Sequence, residues 1–313
     1  MIYQIKGKVV KGLGGLYEIR ACAEGEVRHF SCRAKGALHR EEAKVLVGDN
    51  VELKIDDALP DSVVISEILP RKNALIRPPM ANLDILFIVL ATVKPAPVLE
   101  TVDKLLAIAE HSSIRPVLLI TKADLAPEKA KEYADIYTLA GYPVFVTSSC
   151  SGEGVDRVKS FIDAELRDGV TAAFAGASGV GKSTLLNALF PDLALATAEI
   201  SHKIERGKHT TRHVELYEMH PGHPDTGYLA DTPGFSLIDF ERFHFFSLEE
   251  LFPAFPDLLA FVGKCQYADC AHVGESEREC AVARAVKEGK IAPSRLASYR
   301  SIYRVLKTKN EYK

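Results

Sequence analysis

The chain has 313 residues, 47% of them hydrophobic and 26% charged, which is room for two or three ordinary folded domains. Its net charge of −3 gives no whole-chain signature of nucleic-acid binding. No run of about 18 apolar residues occurs, and the start Met1-Ile2-Tyr3-Gln4-Ile5-Lys6 lacks a signal-peptide core, so a cytoplasmic chain with no membrane contact is expected. Six cysteines in that setting argue against disulfides, and three of them crowd between Cys265 and Cys280.

Residues 1–70 read as short strands. Gly7–Val10, Leu16–Ile19 and Val51–Ile55 alternate polar and apolar positions between Gly and Asp turns. Five such strands in about 70 residues fit a small barrel of the OB type. Its ten Lys/Arg and eleven Asp/Glu do not by themselves favour RNA. Arg71–Met80, with two prolines, reads as a linker.

From Ile85 the pattern becomes strand–helix alternation. Ile85–Ala91 is a continuous apolar run, as a buried parallel strand requires. A helix is expected near Leu99–Glu110, a strand at Val117–Ile120 and a helix near Pro127–Ala140. A strand at Val144–Val146, a helix near Val155–Leu166 and a strand at Val170–Ala175 complete the run. This order predicts a parallel α/β sheet that binds ligands at the carboxyl ends of its strands. From Phe243 the pattern is mostly helical. The expected domains are therefore residues 1–70, 71–242 and 243–313.

Gly176-Ala177-Ser178-Gly179-Val180-Gly181-Lys182-Ser183 fits G-x-x-x-x-G-K-[ST], with a strand before it and a helix after it. Its glycines let backbone N–H groups face phosphate oxygens. Lys182 should neutralise the β/γ-phosphates, Ser183 should bind Mg²⁺, and Thr184 follows in the phosphate-binding run. The helix N-terminus adds a favourable dipole. Asp231-Thr232-Pro233-Gly234 follows the apolar strand Tyr228–Ala230. There a carboxylate can hold Mg²⁺ through water, and the Gly234 N–H can meet the γ-phosphate.

Thr121-Lys122-Ala123-Asp124 follows a strand and ends 52 residues before Gly176. A carboxylate at Asp124 can accept from guanine N1–H and N2–H₂ together, which adenine cannot offer. Lys122 should pack its stem over the base. Thr121 stands where Asn is usual, which predicts a weaker tether to the phosphate loop and a lowered nucleotide affinity. Thr147-Ser148-Ser149-Cys150 matches a further base-contact loop, in which a backbone N–H faces guanine O6; Ser148 and Ser149 are its candidates. The base-reading segments thus precede the phosphate loop, in rotated order. Arg206–Arg212 lies where a switch loop belongs, and Thr211, rather than Thr210, is expected to complete the Mg²⁺ shell. Phe235 follows Gly234 and cannot orient water, so His209 is the candidate for that role.

Cys265-x4-Cys270-x-His272-x7-Cys280 offers three thiolates and one imidazole. That set fills tetrahedral Zn²⁺ and predicts one structural ion. From Ala281 to Lys313, nine Lys/Arg face two Glu, a local balance of +7. That tail is either a solvated helix face or an RNA-phosphate contact.

Together these motifs resemble the ribosome small subunit-dependent GTPase A family (RsgA, also called YjeQ or YloQ) along essentially the whole chain. The resemblance implies an OB barrel, a circularly permuted P-loop GTPase domain and a helical zinc domain. It implies slow GTP hydrolysis stimulated by the 30S subunit, a role in late 30S maturation, and 16S rRNA contacts from the barrel and zinc domains of a monomer. Two departures stand out: Thr121 for Asn, and a His272–Cys280 gap two residues longer than the common one, which tests Cys280 as a ligand. The alternatives are a permuted GTPase of the large subunit, or an RNA-binding scaffold that uses GTP only as a clamp.

Overall fold

The computed structural model describes residues 2–23, 25–34, 44–56, 63–191, 214–231 and 245–311. In chain order the strands are β1 (Ile2–Leu13), β2 (Leu16–Ala23), β3 (Glu26–Ala34), β4 (Asn50–Asp56), β5 (Val64–Ile68), β6 (Ala74–Leu75), β7 (Met80–Ala81), β8 (Ile85–Ala91), β9 (Arg115–Thr121), β10 (Val144–Val146), β11 (Thr171–Ala175), β12 (Glu215–Glu218) and β13 (Tyr228–Asp231). The helices are α1 (Leu99–His111), α2 (Pro127–Leu139), α3 (Val155–Glu165), α4 (Lys182–Leu189), α5 (Pro256–Leu259), α6 (Ala281–Lys287) and α7 (Pro293–Glu311). Two compact units result. One comprises Met1–Ile85, Ser160–Phe174 and Thr197–Phe235; the other comprises Leu86–Lys159, Ala175–Ala196 and Ser236–Lys313.

In the first unit, β1 pairs antiparallel with β2, β2 with β3, and β4 with β5, while β3 and β5 are parallel. β1 returns to β4 from Ile2↔Asp56 to Lys8↔Asn50, which closes a five-stranded barrel and leaves no open edge among these strands. Alternation along the strands points Val9, Ile19, Val51, Leu53 and Ile65 inward, all fully buried. Gly7 permits the close crossing of β1 over β2: a Cβ there would lie 2.5 Å from Ile19 Cγ2 and 2.9 Å from Arg20 O.

Arg71–Met80 is more than the expected linker. β6 and β7 pair, and the Arg71 guanidinium donates to both oxygens of the fully buried Asp49, at 2.6 and 2.8 Å. Gly48, at φ +91°, lets Ala81 approach, since a Cβ there would lie 2.0 Å from Ala81 O. The prolines and charges signal a linker, but the partners that hold the segment lie far back in sequence.

The same unit extends beyond the barrel. β12, which the sequence pattern did not announce, meets β1 at Lys11↔Glu215 and pairs with β13 along its whole length. Thr171–Ala173 of β11 run parallel to Tyr228–Ala230. In the second unit, β8, β9 and β10 are neighbouring strands, with β9 and β10 parallel. β8 is buried at every position, as its unbroken apolar run demands. The C-terminal part is helical, with α7 as its longest element.

Candidate nucleotide site and metal centre

The phosphate loop links β11 to α4. Gly176 has φ +149°, and a Cβ on it would lie 2.3 Å from Val89 O, so the loop can turn beside β8 only with glycine. Gly181 is left-handed at φ +98° and opens α4. The Lys182 ammonium folds back over the loop, donating to Gly176 O at 2.6 Å and Ala177 O at 2.8 Å. Burial pushes its pKa down, so an anion beside it would be welcome. Ala177, Ser178, Gly179, Ser183 and Thr184 are exposed, and Val180 is buried beneath them.

The base-reading loops are tied to this loop within the second unit. The buried Thr121 donates its hydroxyl to Val180 O. A one-donor tether to the phosphate loop therefore exists without the Asn amide, through a hydroxyl that also lies 3.3 Å from Leu90 O. Lys122, left-handed at φ +57°, sends its ammonium to Gly179 O at 2.8 Å and to Lys94 O. Ala123 N–H donates to Thr147 O at 3.1 Å, joining the two base loops. Asp124 sits exposed in the single 3-10 turn Ala123–Leu125. Ser148 is buried, and its N–H already donates to Glu153 O at 2.9 Å. The half-buried Ser149 is thus the better placed of the pair for a base contact through its backbone.

Sequence reading overlooked the loop after β8. Thr92 Oγ1 donates to Lys122 O at 2.6 Å, Thr92 N–H donates to Thr121 O at 3.1 Å, and Lys94 O receives the Lys122 ammonium. These groups hold the backbone on which Lys122 and Asp124 stand. The available signal was position: Thr92 directly follows a buried strand, where ligand loops of parallel sheets fall.

Asp231 closes β13 opposite Glu215. His209, Thr211 and Gly234 lie outside the described residues.

Cys265, Cys270, His272 and Cys280 come together, with their ligand atoms all within 4.8 Å of one another. His272 Nδ1 lies 3.6 Å from Cys265 Sγ, 3.4 Å from Cys270 Sγ and 3.4 Å from Cys280 Sγ. Zn–S near 2.3 Å and Zn–N near 2.0–2.1 Å at a tetrahedral angle give an edge of about 3.6 Å, so the donor set fits zinc. Cys280 belongs to the cluster despite its longer gap and is its most buried member. It also caps α6, where its sulfur accepts from Ala283 N–H at 3.4 Å, while Cys265 Sγ accepts from Ala281 N–H at 3.2 Å. Burial pushes the Cys270 thiol up to about 12, so three adjacent thiolates need a cation among them. His272 is left-handed at φ +62° and stacks on Phe252 at 4.6 Å; its carbonyl accepts from Arg300 Nε at 2.9 Å. These contacts fix the imidazole, as outer partners of metal ligands do.

A phosphate loop tied to base-reading segments that precede it in the chain defines a circularly permuted P-loop GTPase. A family model described as RsgA GTPase matches residues 68–241, and one described as RsgA N-terminal domain matches residues 6–59. The chain belongs to the RsgA GTPase family and is a GTP hydrolase. It is 36% identical to the "Small ribosomal subunit biogenesis GTPase RsgA" of Agathobacter rectalis, over 98% of this chain and 99% of that one. It is 40% identical to "Small ribosomal subunit biogenesis GTPase RsgA 2" of Listeria monocytogenes, over 97% of this chain and 98% of the relative. Among solved structures it is similar to YloQ, described as a circularly permuted GTPase, at TM-score 0.76 and 32% identity over 98% of this chain and 96% of that one. YjeQ from Thermotoga maritima matches equally, at TM-score 0.76 and 32% identity over 97% and 99%. No helix among the described residues is long and apolar enough to cross a membrane.

Proposed function

We propose that this chain hydrolyses GTP during biogenesis of the small ribosomal subunit, binding that subunit and being stimulated by it. The observation that carries the nucleotide reading is the pair of ties from the base segment to the phosphate loop, Thr121 to Val180 O and Lys122 to Gly179 O. They hold base recognition and phosphate recognition in one frame. The printed names of the relatives support the small subunit as partner.

In this reading Asp124 selects guanine through two charge-assisted bonds of roughly 1.5–3 kcal/mol each, or about two to four orders of preference over adenine. The Ser149 N–H meets O6. The loop Gly176–Ser183, with Thr184 and the α4 N-terminus, cradles the phosphates, and Lys182 moves from the loop carbonyls onto phosphate oxygens. Mg²⁺, which would supply charge neutralisation on the phosphates, would be held by Ser183 and Thr211, with Asp231 acting through water. His209 orients the attacking water. Zinc is structural and supplies no step, because its four ligands leave no open position.

The functional division is into residues 1–70, 71–242 and 243–313, supported by family matches at 6–59 and 68–241. The barrel and the helical zinc module contact 16S rRNA, and the protein acts as a cytoplasmic monomer. The exposed Arg284, Arg304 and Lys307 support the rRNA contact of the module.

Multiple-turnover GTP hydrolysis with and without purified 30S and 50S subunits tests the proposal. Stimulation by 30S alone is expected; stimulation by 50S and not by 30S overturns it.

A further inference from the structure

Residues 92–98 join β8 to α1, and the end of β8 touches both halves of the nucleotide site. On the phosphate side, Gly176 turns so close to Val89 O that a Cβ would lie 2.3 Å from it. On the base side, Thr121 Oγ1 lies 3.3 Å from Leu90 O.

Beyond β8 the chain crosses the joint between those halves. Thr92 donates to Lys122 O at 2.6 Å and to Thr121 O at 3.1 Å. Lys94 O accepts from the Lys122 ammonium, which also donates to Gly179 O at 2.8 Å. Pro95 Cδ lies 3.5 Å from the point that a Cβ on Gly179 would occupy. Residues 94 and 95 therefore stand over the contact between the base segment and the phosphate loop.

Lys94 is exposed and left-handed, at φ +50°. That conformation is unfavourable for a residue with a Cβ and persists where its surroundings fix it; here the bond from Lys122 holds the carbonyl. The lysines beside it are engaged, Lys122 with two carbonyls and Lys182 with those of Gly176 and Ala177. The Lys94 ammonium makes no ion pair or hydrogen bond among the described residues. In a guanine nucleotide the ribose and α-phosphate lie between the base and the β-phosphate. With the base at Thr121–Asp124 and the β-phosphate in the loop, they fall at the joint that residues 94 and 95 cover.

We infer that Lys94 is a further nucleotide-binding residue, whose ammonium neutralises the α-phosphate side of bound GDP and GTP. This rests on the proposed placement of base and phosphates. A lysine suits the position, because a point charge on a flexible stem needs no fixed fork of acceptors.

The test titrates GDP and a non-hydrolysable GTP analogue into the full chain, at low and high salt, across a charge series at position 94. At low salt Lys94→Met should weaken both nucleotides about fivefold. Lys94→Glu, with twice the change in charge, should weaken them about 25-fold, and Lys94→Arg should stay within about twofold. Near 1 M salt, where screening acts within about 3 Å, the gap between Lys94→Met and the starting protein should close to about twofold. The side chain is exposed, so these variants should fold. Unchanged affinity in Lys94→Met, a loss that salt does not diminish, or a loss shared by Lys94→Arg overturns the inference. Asp124→Asn, titrated alongside, separates the two readings. If it binds GDP as before, the placement of the base fails; if it is weakened while Lys94→Met is unchanged, the role of Lys94 alone fails.

Discussion

Arg295 of α7 is the largest fully buried side chain among the described residues, and its surroundings allow a quantitative prediction. Its Nη1 lies 2.7 Å from Asp103 Oδ1 of α1, and Nη2 and Nε reach the two oxygens of Asp257 of α5 at 2.8 and 3.0 Å. The guanidinium stands 4.6 Å from the Phe255 ring centroid and 5.6 Å from that of Tyr142. One cation thus neutralises two carboxylates, buried with it, that join α1, α5 and α7. Arg295→Met keeps most of the volume but leaves both carboxylates without a counter-charge. Removal of one partner from such a set costs about 3–5 kcal/mol, which lowers the melting temperature of a unit this size by roughly 10 °C.

The loss has a sign in pH. Burial already pushes the Asp103 carboxyl up, against the pull of Arg295. Without that pull its folded pKa rises further above the unfolded value. A raised carboxylate contributes stability at low pH that is lost as pH rises, so the variant should approach the wild type as pH falls from neutrality toward the ordinary carboxylate range. Thermal and denaturant unfolding at several pH values measure both effects. Arg295→Met combined with Asp103→Leu and Asp257→Leu should regain most of the stability, because no buried charge is left. A loss below about 1 kcal/mol at neutral pH, or one independent of pH, would refute this reasoning.

Other outcomes are expected. Asp124→Asn should weaken GTP by about two orders and shift preference toward xanthine nucleotides, read by competition binding; an unchanged preference removes Asp124 from the base pocket. Gly176→Ala should abolish measurable nucleotide binding, because its Cβ would meet Val89 O at 2.3 Å; retained affinity in a titration would show that the loop can shift. Burial pushes the Lys8 ammonium from 10.5 down to about 8. The folded state then binds fewer protons than the unfolded chain between those values, so stability should rise with pH across that window. Denaturant midpoints at graded pH should show the rise, and Lys8→Met should flatten it. Cys280→Ser should release zinc to a chromogenic chelator and unfold α6 while leaving GDP binding within about threefold; a zinc content unchanged by the substitution would take Cys280 out of the ligand set.

The motifs were legible because their chemistry is local. Gly176–Ser183 is one contiguous loop, and the three cysteines and one histidine of the metal-binding cluster fall within sixteen residues, so spacing alone brings them near one another. The unbroken apolar run of β8 likewise announces a buried strand. Thr92 could not be read the same way, since its importance lies in a bond to Lys122, 30 residues away. Nor could the Thr121 tether, which depends on the carbonyl of Val180, 59 residues further on. The basic tail illustrates the opposite error. Counted along the chain, Arg295 belongs to a surface of positive charge; in the fold it is buried on two carboxylates and adds nothing to an RNA-facing surface.

By itself the sequence determined the motifs: a phosphate loop, the Thr121–Asp124 segment proposed to read guanine, a Cys₃His set able to hold zinc, and the rotated order of the nucleotide motifs. Those follow from residue identity at short range, where chain geometry leaves little freedom. Only the tertiary structure decided how β12 is held. Its glutamates are ordinary polar residues until Lys11 and Arg20, about 200 positions earlier, are brought beside them. Register between strands so distant in sequence is set by closure of the barrel and by burial, and no local pattern encodes it.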